Sequence, residues 1–322
     1  MTPEFGIQSL CRFFGVSRSG FYAWNKAQTS PAPRRLADQK LAAKIKEVHA
    51  ENRGVYGSPR ITRALLQAGT RCGHNRIARL MREQGLRGAG SKRFVPRTTD
   101  SNHHNPVAPN RLRENPPPAT INEVWVTDIT YLPSKEGWLY LAAVMDLASR
   151  KIIGWHLEDH LQTSLPLEAL LRAVAARRPA APLIHHSDRG CQYTSSGYAE
   201  ALRRSGLLPS MSATGCCYDN AAMESFWSTL KREIGVSCFN SQPEARREIF
   251  DYIEAFYNRK RLHSSLGYKS PEAFENERNE KLLNPDFERK ERQENRRSLP
   301  SSSSLIDSRP KRKNCNQLSK DS

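Results

Sequence analysis

The fold is decided by Glu123-Val-Trp-Val-Thr-Asp-Ile-Thr-Tyr-Leu132, a stretch rich in β-branched and aromatic residues that predicts a β-strand. A Glu136-Gly137 turn signal follows it, and the apolar residues 138–145 predict a second strand. Residues 152–157 predict a third strand after another short turn. Strands joined by such short turns pair antiparallel, so the sequence predicts a three-stranded meander. Asp128 stands out within it, because Asp is depleted in strands.

Two more strands are predicted further along the chain, at residues 182–187 and 207–211, with helices before and between them. The four helices of this region are predicted at residues 164–176, 196–205, 220–233 and 243–257. A meander with two further strands reached through helices makes a mixed five-stranded sheet with flanking helices. The predicted fold class is therefore α/β.

The helix at residues 220–233 carries a carboxylate and an ammonium group on one side. We expect Asp219 and Asn220 to cap it, because short polar side chains satisfy the free N–H groups of a first helical turn. The residues expected on its apolar face are Met223, Phe226, Leu230 and Ile234. Glu224 and Lys231 each follow one of these positions, so they lie two turns apart at the edge of that face.

Helical segments precede the sheet. In residues 1–28, a short apolar helix, Gly15 at a turn and Ser17 at the next helix start predict a helix-turn-helix segment. Arg18 would lie early in its second helix, where such motifs contact DNA. A small helical hairpin with no DNA role is the alternative.

Residues 34–88 predict a second helical domain of the helix-turn-helix type, with Asn75 as the cap of its last helix. The residues predicted to contact DNA here are Arg60, Asn75, Arg76 and Arg79. Nearly every long side chain expected on the surface of this domain is positive. This pattern favours DNA contact over an ordinary solvated surface.

The composition indicates a polyanionic partner. The chain of 322 residues has 50 Lys and Arg against 33 Asp and Glu, a net charge of +17. A field of this sign favours nucleic acid first and an acidic membrane surface second. No apolar run reaches the length of a membrane span, so no membrane partner is predicted. The seven cysteines form no C-x-x-C pair, which argues against structural zinc and disulfides and predicts a cytoplasmic protein.

Two stretches lack the pattern of a packed domain. Residues 89–118 are basic and Pro-rich and predict a linker, either a spacer or a strap across DNA. Residues 276–322 are charged and Ser-rich, so we expect them to be disordered. Their basic run, residues 309–313, is either a solvated segment, a localisation signal or a tail that binds DNA. Residues 119–275, between the two stretches, hold the predicted α/β core.

Three carboxylates are candidates for chemistry: Asp128 within a strand, Asp188 at the end of one, and Glu224 on a helix. Clustered carboxylates repel one another, and divalent cations remove this conflict. Two Mg²⁺ ions about 3.5–4 Å apart stabilise the attacking and leaving oxygens of a phosphodiester displacement. Each residue also has a plain structural explanation. Asp128 could lie on an edge strand, Asp188 could begin a turn, and Glu224 could pair with Ser228 or Lys231.

Three motifs taken together resemble the integrase core of insertion-sequence transposases. They are Trp125-Val-Thr-Asp128-Ile-Thr-Tyr131, His185-His-Ser-Asp188-Arg-Gly-Cys-Gln-Tyr193 and Tyr218-Asp-Asn-Ala-Ala-Met-Glu224-Ser-Phe-Trp-Ser-Thr-Leu-Lys231. The 35 residues between Asp188 and Glu224 match the D,D(35)E pattern of that core and of retroviral integrases. Residues 257–274 resemble the segment that closes the domain. The chain is thus similar to the second-frame catalytic subunit of the IS3 family.

This resemblance implies an RNase H-like fold in which the three carboxylates bind two ions, Mg²⁺ or Mn²⁺. Water would cut one strand at a transposon end, and the freed 3′-OH would attack a second phosphodiester without a covalent enzyme intermediate. Lys231 matches a basic residue expected to contact a terminal phosphate, and Arg261 and His263 would be secondary DNA contacts. The implied partners are transposon ends, target DNA and further copies of the chain on DNA.

Two other functions stay open. One is a DNA-binding protein without catalysis, a regulatory or remnant product of the element, although retention of the three carboxylates argues against it. The other is a nuclease that cuts RNA–DNA hybrids, which the carboxylate spacing and the helix-turn-helix segments disfavour. No leucine zipper or first-frame helix-turn-helix opens the sequence. We therefore expect the first-frame protein as a partner or fusion.

Overall fold

Five helices make up the first part of the chain. The computed structural model describes residues 6–29, 32–90, 106–112, 118–180, 182–212 and 220–283. The first helices are α1 (Ile7–Phe13), α2 (Arg18–Thr29), α3 (Pro33–Glu51), α4 (Ser58–Gln67) and α5 (His74–Glu83). Gly15 turns the chain between α1 and α2 with a φ of +64°. The Gly20 N–H donates to the Ser17 hydroxyl at 3.0 Å, so Ser17 caps α2 as the sequence predicts.

Asn75 does not cap α5. The N-cap position belongs to Gly73, and Asn75 lies exposed in the first turn, so the predicted cap is wrong. The neighbouring His74 has its Nε2 at 3.0 Å from Ser58 Oγ, a contact that joins the starts of α4 and α5. The beginning of α5 is therefore fixed by a contact between helices and not by a local side-chain cap.

One side of α4, with the residue just ahead of it, docks onto residues 260–268 near the end of the core. The Tyr56 hydroxyl accepts from the Leu262 N–H at 2.8 Å. Arg60 Nε donates to the Leu262 carbonyl at 3.1 Å, and the Gln67 amide donates to a backbone carbonyl of the same segment at 3.1 Å. Tyr56 is fully buried. The helical domain and the core are thus joined by specific hydrogen bonds.

The core contains the predicted mixed five-stranded sheet. Its strands are β1 (Val124–Ser134), β2 (Gly137–Asp146), β3 (Ile152–Glu158), β4 (Leu183–Ser187) and β5 (Leu207–Met211). Their order across the sheet is β3-β2-β1-β4-β5. The first three strands pair antiparallel, and β4 and β5 run parallel to β1. The predicted meander and the two added strands are both confirmed.

Helices cover both faces of the sheet. They are α6 (Ser164–Arg177), α7 (Ser196–Arg204), α8 (Ala221–Ile234) and α9 (Gln242–Phe250). Helix α10 (Pro271–Leu283) follows them in the chain. Successive strand residues face opposite sides, so Trp125 of β1 packs with α6 and α7 while Val126 packs with α8 and α9. Gly154 of β3 allows α6 to approach, because a Cβ there would lie 2.7 Å from the Ala173 nitrogen.

The structure differs from the prediction at two places near the end of the core. The single helix predicted at residues 243–257 is α9 followed by a π-helical segment, Asp251–Tyr257. Four residues of that segment are buried, and the wider turn accommodates their bulk. Helix α10 continues to Leu283, so residues 276–283 are helical although the sequence predicts disorder there. The rest of that predicted tail, residues 284–322, lies outside the described residues.

Part of the predicted basic linker lies along the sheet edge. The Arg111 N–H donates to the Ser210 hydroxyl at 2.9 Å, and Arg111 Nε donates to the Pro209 carbonyl at 3.3 Å. Residues 106–112 therefore run beside β5; residues 91–105 and 113–117 of the linker lie outside the described residues. Among the helices that the structure describes, none is both long and apolar enough to cross a membrane.

Candidate active site

Asp128 and Asp188 lie at the same level of adjacent strands. β1 and β4 run parallel, and the last pair in their register joins Val126 to His186. Each aspartate is two residues beyond its member of this pair, so both lie on the same side of the sheet. Neighbouring strands are about 4.8 Å apart. The strand pairing thus brings together two carboxylates that are far apart in sequence.

The Asp128 carboxylate lies in a protein-lined environment that disfavours its charge. Burial, followed by the negative charges of Asp188 and Glu224, raises the pKa of this carboxyl to about 7. Trp227 of α8 works in the opposite direction, because its indole N–H donates to Asp128 Oδ2 at 2.9 Å. The upward shift therefore reports that Asp188 and Glu224 both act electrostatically on Asp128.

Asp188 is oriented by the turn that follows β4. The Gly190 N–H donates to Asp188 Oδ1 at 3.0 Å. A Cβ at position 190 would lie 3.1 Å from the same oxygen, so glycine leaves room for this carboxylate. Arg189 Nε donates to the Ser212 carbonyl at 2.7 Å, which ties the turn to the end of β5. The backbone thus holds Asp188 beside Asp128.

Glu224 approaches from α8, in its exposed first turn. Lys231, two turns later, is half-buried. Burial lowers the pKa of its ammonium group, and the negative charge of Asp128 works against that shift. The buried residues of α8 are Met223, Phe226, Trp227, Leu230 and Glu233. Ile234 packs half-buried against the core as predicted, and the neighbouring Glu233 is buried as well.

The donor set of this site suits a hard divalent cation. Carboxylate oxygens are the ligands that Mg²⁺ and Mn²⁺ prefer. Burial, together with the charges of Asp188 and Glu224, disfavours the ionised form of Asp128, and such an ion would relieve this penalty. Within the described part of the chain, a compact group with ligand atoms within 4.8 Å of one another occurs at Glu158, Asp159 and His160, and not at the three carboxylates. The exposed Glu224 side chain projects towards solvent.

Two of the residues predicted to contact DNA lie near the end of the core, Arg261 buried and His263 half-buried. Arg261 is buried, and its guanidinium donates to both oxygens of Glu233 at 2.7 and 2.8 Å. Burial, then the charges of Arg261, Arg60 and Arg150, lowers the pKa of His263 to about 3, so its ring is neutral. Arg261 therefore pairs with a protein carboxylate, and the lowered pKa of His263 favours its neutral form. Their roles as secondary DNA contacts stay predictions.

The other predicted DNA contacts lie on the helical segments. Arg18 and Asn75 are exposed in the first turns of α2 and α5. Arg76 and Arg79 both pair with Asp38 of α3, at 2.6 and 2.7 Å. Arg76 and Arg79 therefore fasten α5 to α3 while each remains partly exposed. The structure brings none of these four residues to the carboxylates.

Trp227 and Glu233 are functional candidates that the sequence reasoning missed. Trp227 falls within the third motif, three residues after Glu224, and its indole N–H has a donor role that the sequence does not reveal. Glu233 offers a clearer signal, because it lies at helical spacing on the stripe of Phe226 and Leu230. A carboxylate on an apolar stripe predicts a buried partner of opposite charge.

The comparison with known protein families matches most of the chain. Residues 118–217 match the family described as "Integrase core domain", and residues 205–271 match a second family of the same description. Residues 36–94 match the family described as "HTH-like domain".

Three curated relatives show extended sequence similarity. The "Insertion element IS600 uncharacterized 31 kDa protein" of Shigella sonnei is 46% identical over 266 residues, 82% of this chain and 97% of the relative. The "Transposase InsF for insertion sequence IS3A" of Escherichia coli strain K12 is 41% identical over 274 residues, 85% and 95% of the two chains. The "Transposase for insertion sequence element IS904" of Lactococcus lactis is 43% identical over 246 residues, 76% and 97%.

The comparison with solved structures includes retroviral proteins at low similarity. A chain of the simian T-cell lymphotropic virus intasome is 13% identical, with a TM-score of 0.42 and coverage of 83% of this chain and 78% of that one. The HTLV-2 integrase catalytic core domain in complex with magnesium is 14% identical, with a TM-score of 0.37 and coverage of 48% and 97%.

Proposed function

We propose that this chain, which belongs to the IS3 family of insertion-sequence transposases with an integrase core domain, cuts transposon ends and joins them to DNA through Asp128, Asp188 and Glu224. The observation that carries the proposal is the position of Asp128 beside Asp188 and within the electrostatic reach of Glu224. Asp188 directly follows β4 at the level of Asp128 in β1, and burial together with the charges of Asp188 and Glu224 raises the pKa of Asp128.

The three carboxylates would hold a divalent cation, Mg²⁺ or Mn²⁺, and two ions in the complete site. Bound there, the metal would supply Lewis-acid stabilisation of the attacking and leaving oxygens of a phosphodiester. The protein's own part is to fix the ligands: Asp128 lies on β1, where the Trp227 N–H orients one of its oxygens at 2.9 Å, and the turn after β4 holds Asp188 through the Gly190 N–H. Glu224, on α8, would turn from solvent towards the metal. Such preorganisation favours a direct displacement by water and then by a 3′-OH.

DNA would be held by residues on several elements. Lys231 lies beside the carboxylates, which suits a contact to the phosphate next to the cut. The helical domain offers Arg60, Arg76 and Arg79 together with the exposed Asn75, and Arg18 of α2 offers another cation. The partners would be the terminal repeats and target DNA. Several copies would assemble on that DNA, with the first-frame protein as partner or fusion.

The experiment compares Asp128→Asn and Glu224→Gln with the wild-type chain on a duplex that carries the terminal repeat of the element. With Mg²⁺ present, cleavage and joining are expected to fall by about a thousandfold or more, while binding of the duplex stays nearly unchanged. Asp159→Asn, in the acidic group at the end of β3, is the matched control and keeps wild-type rates. Joining at the wild-type rate by either active-site variant would refute the assignment.

The alternative is a DNA-binding product of the element without catalysis. It would be supported by a wild-type chain that binds the repeat and cuts nothing, alone or with the first-frame protein, at any Mg²⁺ or Mn²⁺ concentration.

A further inference from the structure

A polar cavity of about 560 Å³ opens beside α8, with Ser225, Ser228 and Arg232 of that helix in its wall. Four arginines surround it, and hydroxyl groups complete its wall. The lining residues used below are Arg60, Arg150, Arg232, Arg261, Ser225 and Ser264. We call this cavity the arginine pocket. It lies where α4 of the helical domain meets the core.

Positive charge in the arginine pocket exceeds negative charge. Within the described residues, the carboxylate that faces these arginines is Glu233, which is almost fully buried. It is held by Arg261 at 2.7 Å, whereas Arg232 and Arg60 approach it only at 3.9 and 4.0 Å. One carboxylate can balance one guanidinium. The other arginines of the pocket remain in excess.

Two arginines of the pocket carry donors that the described part of the chain leaves unsatisfied. Arg232 Nε is buried and donates to no residue in the described part of the chain. The Arg150 side chain likewise forms no hydrogen bond or ion pair with any residue of the described ranges, although its charge acts on His263. An unsatisfied buried N–H costs about 1–3 kcal/mol, so a bound acceptor is expected to be favourable.

The electrostatics of Arg60 indicate the sign of the ligand. Burial, and then the neighbouring charge of Arg261, lowers the pKa of the Arg60 guanidinium. An anion in the pocket relieves this repulsion. A guanidinium fork fits phosphate oxygens in a bidentate geometry, and the exposed hydroxyls of Ser225 and Ser264 add further donors. A tetrahedral phosphate group matches this set of donors in charge and shape.

We propose that the arginine pocket binds a phosphate of the DNA backbone, with Arg150 and Arg232 as the contacts. Arg261 acts through Glu233, as a positioning residue. Glu224 and Ser225 are consecutive on α8, so the pocket and the active site lie within one helix diameter, about 10–12 Å. The same strand can reach both, since successive phosphates advance about 3.4 Å along the DNA axis. This inference rests on the proposed function, from which it takes DNA as the source of the phosphate.

The first arm of the test measures DNA binding by the full chain without divalent metal. Arg150→Gln and Arg232→Gln are each expected to bind a short duplex about tenfold more weakly, with a salt dependence lower by about one phosphate contact. Arg204→Gln, exposed on α7, makes the same change of charge and is expected to stay within about twofold of wild type. Arg150→Lys keeps the charge and recovers part of the loss.

The second arm uses inorganic phosphate alone, against chloride at equal ionic strength. Phosphate is expected to raise the Tm of wild type and Arg204→Gln but not of Arg150→Gln or Arg232→Gln. If both variants lose this shift yet bind DNA as Arg204→Gln does, the pocket is a site for free phosphate and the DNA assignment is overturned. If neither measurement distinguishes the variants from Arg204→Gln, the anion site itself is refuted.

Metal-dependent cutting by wild type separates this proposal from the proposed function. If wild type cuts DNA normally and both variants bind DNA as wild type does, only the pocket proposal is refuted. A loss of DNA binding in both variants, with a wild-type chain that never cuts, supports the pocket and removes the catalytic assignment.

Discussion

The two flanks of α8 carry opposite charge imbalances. On one side Glu224 joins Asp128 and Asp188, and the excess is negative. On the other side the arginine pocket surrounds Glu233, and the excess is positive. A buried cluster elsewhere in the core is balanced: Glu275 and Asp146, joined through the Ser149 hydroxyl, face Lys151 and Arg177. Under the two proposals above, each side of α8 is complementary to a group outside the protein, a cation on one side and a phosphate on the other.

The largest expected effect separates the two glutamates of α8. Glu233→Ala leaves the buried Arg261 without its partner, so the free energy of unfolding is expected to fall by about 3–5 kcal/mol. Glu224→Ala removes an exposed carboxylate that repels its neighbours and is expected to change it by less than about 0.5 kcal/mol. Urea unfolding of both variants measures the difference. Equal effects would contradict the assignment of Glu233 as the structural member of the pair.

Trp227→Phe tests the hydrogen bond that Trp227 donates to Asp128. Without the indole N–H, the pKa of Asp128 is expected to rise further, because that hydrogen bond lowers it. The pH–rate profile for cleavage then moves upward, and the rate below neutrality falls about tenfold, the cost of a hydrogen bond to a charged group. Trp138→Phe, an exposed indole on β2, is the control. A lower rate with no movement of the profile would mean that Trp227 acts by packing alone.

The pH dependence of metal binding tests the role of Asp128 in the carboxylate site. A pKa of about 7 means that neutral Asp128 predominates one pH unit lower and the carboxylate predominates one unit higher. Without metal, this group's contribution to stability is therefore lost as the pH rises through 7. With Mg²⁺ the dependence reverses, and affinity is expected to be about tenfold greater at the higher pH, since the ligand must be ionised. Calorimetric titration measures it, and Asp128→Asn is expected to abolish the difference.

The smallest expected effect concerns Lys231, which lies beside the carboxylates. Lys231→Ala is expected to weaken duplex binding by a few-fold and to reduce the salt slope by about one. Lys135→Ala, in the exposed β1–β2 turn, is the control for the loss of one charge. An unchanged slope for Lys231→Ala would show that its ammonium serves the carboxylates and not the DNA.

The sheet could be predicted from the sequence because its strands carry strong local patterns. The sequence therefore placed Asp128 within a strand and Asp188 at the end of one. That the two residues lie at the same level of the sheet became clear only from the pairing of β1 with β4. The pairing of Arg261 with Glu233 was not accessible, since it joins residues 28 apart through the packing of α8 against the π-helical segment. A family resemblance assigns a residue type to a motif, but it does not tell whether the side chain is buried.

The docking of α4 onto the core has a consequence for the rate of strand joining. Tyr56 and Arg60 are hydrogen-bonded to the backbone at Leu262, so the helical domain is held by contacts and not only by the linker. Any DNA gripped by that domain is presented to the carboxylates at an effective concentration set by fixed geometry. Orientation is then settled on binding, before the chemical step. Loosening this joint would slow strand joining even where the affinity for DNA is unchanged.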